Sequence, residues 1–174
     1  MQQFFVTELL QSKKGFIITA IALGAITAGS FAVWMIPQNS HTQLVVSNPK
    51  DNLDALVDQQ KTISDSDKEE FDKMMSGQIT YDNYISIAQV SSSQINSMII
   101  NMMSSDVSGQ WHDSYSAFLD SLRGYNSYLK ETIVIAEKLK SDPAADVSAE
   151  KANMEKYLSE AQDSKAKSDS SRPA

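Results

Sequence analysis

The chain has 174 residues with 15 basic and 22 acidic groups, a formal net charge of -7, and no cysteine. That length allows one domain with appendages, and the acidity disfavours nucleic acid and anionic lipid headgroups as docking surfaces. The lack of cysteine removes disulfides, thiolate metal sites and cysteine nucleophiles.

Residues 1–14 form a short segment with Phe4, Phe5, Leu9 and Leu10 at helical spacing, followed by Lys13 and Lys14. Residues 15–36, GFIITAIALGAITAGSFAVWMI, carry no charge. A helix of that length reaches about 33 Å, enough for a hydrocarbon layer of about 30 Å. This predicts a transmembrane helix. Lys13 and Lys14 precede it and no basic residue follows until Lys50, so the N-terminus is expected in the cytoplasm and the rest outside. Trp34 suits the outer interface and Pro37 marks a stop. A cleaved signal peptide is the competing reading, with Ser30-Phe31-Ala32 as its cleavage signal. Against it, the apolar stretch is long for such a segment and continues through Ile36. Ala20, Gly24, Ala28 and Ala32 recur every fourth residue, beside Ala25 and Gly29, and a stripe of this kind favours lateral packing against another membrane helix.

Residues 37–48 read as a polar connector with an extended piece at Leu44-Val45-Val46. Beyond it, residues 49–165 are expected to form an extracytoplasmic, antiparallel helical bundle, so the fold class is all-α. The part of the chain beyond the apolar segment keeps 13 basic and 21 acidic residues, a balance of -8. Asn48-Pro49 opens a first helix carrying Leu53, Leu56, Val57 and Ile63, and Ser64 to Asp67 are expected to break it. Ser66-X-X-Glu69 has the form of a capping box for a short second helix with Phe71, Met74 and Met75, ending at Gly77. Thr80 then caps a helix from Tyr81 to about Ser104, with Ile79 and Tyr84 as a hydrophobic staple.

Residues 66–90 thus read as a tight helical hairpin. Here MMSGQITYDNYI resembles the short helical hairpin domain found at the ends of many bacterial and archaeal proteins, although Asn83 stands where that pattern has an acid. The resemblance implies a small interaction hairpin. The longest apolar periodicity runs from Trp111 to Lys140 and should be the spine of the bundle; Asp142-Pro143 ends it. Ser148 is expected to cap a last helix with Val147, Met154, Tyr157, Leu158 and Ala161 on its buried side. Residues 166–174, a low-complexity stretch of small and polar residues, are expected to be disordered.

No catalytic constellation emerges. His41 lies in the connector, and His112 is adjacent to Asp113, so on a helix the two side chains diverge by about 100°. Met98 and Met102 share a helix face and could offer thioethers to Cu(I), with Met103, Met74 and Met75 as possible neighbours, but methionine at such spacing is the usual filler of irregular cores. Tyr84, Tyr115, Tyr125 and Tyr128 could line a pocket between helices, or bury their rings with hydroxyls at the rim. No glycine-rich phosphate loop, nucleophile elbow or cofactor motif is present in the sequence.

The Lys-Lys start, the Trp-Met-Ile-Pro exit of the span and the cysteine-free helical exterior resemble the small single-span accessory subunits of archaeal ammonia monooxygenase. The resemblance is one of architecture and carries over no functional residue. It implies a non-catalytic subunit of a membrane enzyme complex whose copper site lies on other chains. Its partners would be other integral membrane subunits and the lipid bilayer. The alternative from the residues alone is a membrane-anchored, extracytoplasmic ligand-binding or sensing domain.

Overall fold

The computed structural model describes residues 44–107 and 109–173. The proposed membrane helix, its flanking Lys13, Lys14 and Trp34, its packing stripe Ala20, Gly24, Ala28 and Ala32, and His41 lie outside the described residues. No helix among the described residues is long and apolar enough to cross a membrane.

Four α-helices dominate: α1 (Pro49–Met75), α2 (Tyr81–Met103), α3 (His112–Ser141) and α4 (Ser148–Ser170). They run alternately up and down. The start of α3 meets the start of α1, where the Tyr115 hydroxyl donates to the Pro49 carbonyl at 2.9 Å. At the opposite end Lys140 of α3 pairs with Asp82 of α2 at 2.5 Å, and Lys138 with Glu150 of α4 at 2.5 Å. The longest helix, α3, is the central one. It packs against α4 and α2, while α1 rests mainly on α2.

Ser148 does not cap α4 but is its first residue, its amide donating to Asp146 Oδ1 at 2.9 Å. The signals at both ends of α1 and at the start of α2 work as the sequence indicates. Asn48 Oδ1 accepts from the Asp51 amide at 3.3 Å, with Pro49 in the first turn. Gly77 has φ of +74° and closes α1: its amide bonds to the Met74 carbonyl at 3.0 Å and the Gln78 amide to the Lys73 carbonyl at 2.8 Å. Thr80 Oγ1 accepts from the Asn83 amide at 3.2 Å and starts α2, with Ile79 half-buried against the cluster that holds Tyr84.

Two further expectations are corrected. The chain does not break at Ser64 to Asp67: α1 is one helix from Pro49 to Met75. Leu53, Gln60, Ile63, Asp67, Phe71 and Met74 form a single buried face through that region, so tertiary packing outweighs the weak helix preference of Ser and Asp. Thr62 and Ser64 bond back to carbonyls of their own helix at 2.9 Å, and exposed Ser66 lies inside the helix and caps nothing. The hairpin at 66–90 is therefore the junction of two long helices. The segment 166–174 is likewise ordered as far as it is described, since α4 runs to Ser170 with Ser168 fully buried. Finally, the connector's extended piece finds a partner the sequence did not signal. Leu44–Val45 (β1) pairs in parallel with Ser105–Asp106 (β2), and the Val46 amide donates to the Asp106 carbonyl at 3.2 Å.

A narrow seam joins α3 to α4. Ser114 and Ser121, seven residues apart on α3, donate to the carbonyls of Ser168 and Ala161, seven apart on α4, each at 2.8 Å. Gly124 lies over Ala161, and a Cβ at Gly124 would stand 3.2 Å from the Ala161 backbone. Small residues thus bring the two backbones together and let buried hydroxyls reach main-chain oxygens. Helix α4 buries only Ala161 and Ser168 fully, and this seam ties the second half of the helix to α3 through those two residues.

Candidate functional site

Two apolar clusters fill the bundle. One gathers Leu53, Ile95, Met98, Phe118, Leu122 and Leu129 at the end where α1 begins; the other gathers Phe71, Met74, Tyr84, Ala88, Ile135 and Leu139 at the far end. The residue between the clusters is polar on each of three helices. Asp67 falls between Ile63 and Phe71 on α1, Ser91 between Ala88 and Ile95 on α2, and Thr132 between Leu129 and Ile135 on α3. All three are buried, so the core contains a polar layer.

Hydrogen bonds organise this layer. The Tyr84 hydroxyl donates to Thr132 Oγ1 at 2.6 Å, which donates on to the Leu129 carbonyl at 2.8 Å. The Tyr125 hydroxyl donates to Asp67 Oδ2 at 3.0 Å. Tyr125 stacks on Tyr128 with ring centroids 5.3 Å apart. At its edge, Ser92 donates to Asn126 Oδ1 at 2.6 Å and Asn126 donates to Asn96 Oδ1 at 2.9 Å. Asp67 is 0% exposed, and its Oδ1 has no hydrogen-bond partner.

Burial pushes the Asp67 carboxyl up to about 6, with the Ser91 and Tyr125 hydroxyls pulling the other way. No cation acts on it. Burial also raises Tyr125 and Tyr84 above the ordinary tyrosine range, reinforced in both by the nearby Asp67 charge. Tyr128 is pushed up to about 12 by burial, then by Asp67 and Asp72. The chemistry this arrangement supports is the uptake and release of one proton at a carboxyl inside the core.

The tyrosine hydroxyls are thus not all at the rim. Those of Tyr84 and Tyr125 are inside, while that of Tyr115 is half-buried between the Pro49 carbonyl and Asn52. Met98 and Met102 are 2% and 7% exposed and pack in the cluster around Leu122. Met74 belongs to the other cluster, Met75 and Met103 are exposed, and the five sulfurs are not gathered. Exposed His112 approaches exposed Asp113 only to 3.6 Å. Among the described residues no group of three or more His, Asp or Glu side chains is placed to hold a metal ion.

Two grooves open at the end where α1 starts. One, of about 600 Å³, is lined by Asn48, Asp51, Asn52, Leu56, Asn101 and Met102 among others. Its neighbour, of about 330 Å³, includes Met103, Val107, His112, Leu119 and Arg123. Neither includes a residue of the polar layer.

Sequence reasoning did not single out Asp67 and Thr132 for the site. The available signal was an acid four residues from Ile63 and four from Phe71, in phase with the apolar face of α1. The fold and site define an all-α bundle with a polar layer in its core. No protein-family model, no curated protein and no solved structure matches the chain.

Proposed function

We propose that the chain is a non-catalytic accessory subunit of an integral membrane enzyme complex, of the kind found in archaeal ammonia monooxygenase. In this reading residues 15–36 anchor it and the helical domain docks on neighbouring subunits outside the cytoplasm. The observation that carries the reading is the outer face of α2. No charged residue occurs from Asn83 to Ser105, and the face turned outward presents Ser86, Gln89, Ser93, Ser97, Ile100 and Met103. Ile100 and Met103 are 65% and 64% exposed. The outward faces of α1, α3 and α4 all carry charges of both signs. Charges are costly to bury unless paired, and interface centres are depleted of them, so α2 offers the face with the smallest desolvation cost for a partner.

Extraction of native membranes in mild detergent, capture of the full chain and mass spectrometry test this. Membrane subunits should co-purify at fixed stoichiometry, and Ile100→Glu should release them without changing the thermal unfolding of the chain. Recovery of the chain alone, or retention of partners by that variant, would overturn the reading. The second reading, an anchored ligand-binding or sensing domain, draws on the 600 Å³ groove. It would take first place if the chain came alone and bound a small molecule there.

A further inference from the structure

The polar layer does not figure in partner docking, and Asp67 within it is unusual. Its carboxyl is wholly buried, accepts one hydroxyl hydrogen bond at Oδ2 and leaves Oδ1 without a partner. A buried polar oxygen without a donor is unfavourable, and one that shares a negative charge is more so. The groups that face it carry no positive charge. From α3 come Tyr125 and Tyr128; from α2 come Ser91 and Tyr84; Asp72 of α1 lies close enough to act on Tyr128. All of these are neutral or acidic near neutral pH.

We propose that Asp67 makes the seating of α1 proton-dependent: the protonated carboxyl holds α1 against α2 and α3, and the carboxylate loosens it. The proton goes to Oδ1, the oxygen without a partner, and Ser91 on α2 is the neighbouring acceptor. Oδ2 keeps its bond from Tyr125 on α3. In the protonated state one side chain of α1 is therefore bonded to both helices beneath it. In the charged state the carboxylate is buried with hydroxyls alone and no cation beside it, and outward movement of α1 into water relieves its desolvation. Helix α1 is the element suited to respond. It rests mainly on α2, touches α3 only sparsely and directly follows the connector.

The sign follows from the direction of the shift. The folded carboxyl titrates near 6, above its ordinary value of 3.8. The folded state therefore holds its proton to higher pH than the unfolded one, and the contribution to seating is complete below about 4 and lost as pH rises through about 6. It is flat above that. This inference is independent of the proposed subunit role.

The experiment is hydrogen exchange on the full-length protein between pH 4.5 and 7.5, corrected for intrinsic exchange rates, with α3 amides as internal reference. Protection of α1 around Ile63 to Phe71 should fall roughly 25-fold relative to α3 between pH 4.5 and 7.5, and stay constant in Asp67→Asn. Tyr125→Phe removes the hydroxyl that bonds Oδ2 of the carboxylate and should move the midpoint to higher pH. It keeps the test decisive if Asp67→Asn does not fold. Unchanged α1 protection in the wild type, the same pH dependence in Asp67→Asn, or an unmoved midpoint in Tyr125→Phe would each overturn the proposal.

Discussion

Replacing Gly124 by alanine tests whether the α3–α4 seam sets the position of the last helix. In an isolated helix the change is favourable by about 1 kcal/mol, because glycine loses more backbone freedom on folding. At this position the new methyl would stand 3.2 Å from the Cα, Cβ and N of Ala161, so α4 must move by a few tenths of an ångström. Two hydroxyl-to-carbonyl bonds of 2.8 Å resist that movement, one from Ser121 to Ala161 itself and one from Ser114 to Ser168. Overpacking of a tight contact costs about 1–3 kcal/mol, and stretching a buried hydrogen bond adds up to about 1 kcal/mol. The penalty exceeds the propensity gain, and the expected net loss is about 1–2 kcal/mol, read as a fall in Tm of roughly 3–8 °C. Thermal unfolding of the full-length protein followed by far-ultraviolet circular dichroism measures it. Gly124→Leu should cost about 3 kcal/mol or more. If the methyl acts by displacing α4, Gly124→Ala should cost less in a Ser121→Ala background, where one tether is already gone, and the two changes should be non-additive. A rise in Tm for Gly124→Ala would refute the reasoning, because it would mean that α4 yields freely.

Other substitutions probe separate features. Gly77→Ala places a methyl at φ of +74° and should cost about 1–2 kcal/mol in urea unfolding, although nothing lies within 4 Å of the new atom. Tyr84→Phe leaves Thr132 Oγ1 without its donor in the core and should cost about 1–3 kcal/mol, with Thr132→Val partly restoring stability in the double variant. Truncation after Lys165 removes the buried Ser168 and the pairing of Arg172 with Asp54 and Asp169; the Tm should fall, whereas a dispensable tail would leave it unchanged.

Where a structural decision is local, the sequence was sufficient. The Asn48 and Thr80 caps, the left-handed glycine at position 77 and the stop at Asp142-Pro143 each depend on a few adjacent residues, and each is found where the pattern put it. Where the decision belongs to packing, the local pattern misled. The Ser64 to Asp67 stretch has the composition of a helix break, but its Ile63 and Asp67 face the core and the helix continues. The end of α4 has the composition of a disordered tail because no large apolar residue marks it. Its docking is carried by Ser114, Ser121 and Gly124, residues on another helix, spaced so that their smallness becomes a contact surface. The polar layer was hidden for a similar reason. A lone Asp on an apolar face has no visible partner until Tyr125, 58 residues away, is brought beside it.

The two-residue ladder between Leu44–Val45 and Ser105–Asp106 has a mechanical consequence. The chain reaching the bundle is fastened first to the link between α2 and α3, and only then enters α1 at Pro49. Tension applied ahead of Leu44 along the strand loads the ladder in shear, its bonds sharing the force, and bypasses the first turn of α1. Tension applied across the ladder would open it one bond at a time and pass the strain to the Asn48 cap. The domain is therefore built with a direction-dependent strain relief, firm to a lengthwise pull and yielding to a sideways one.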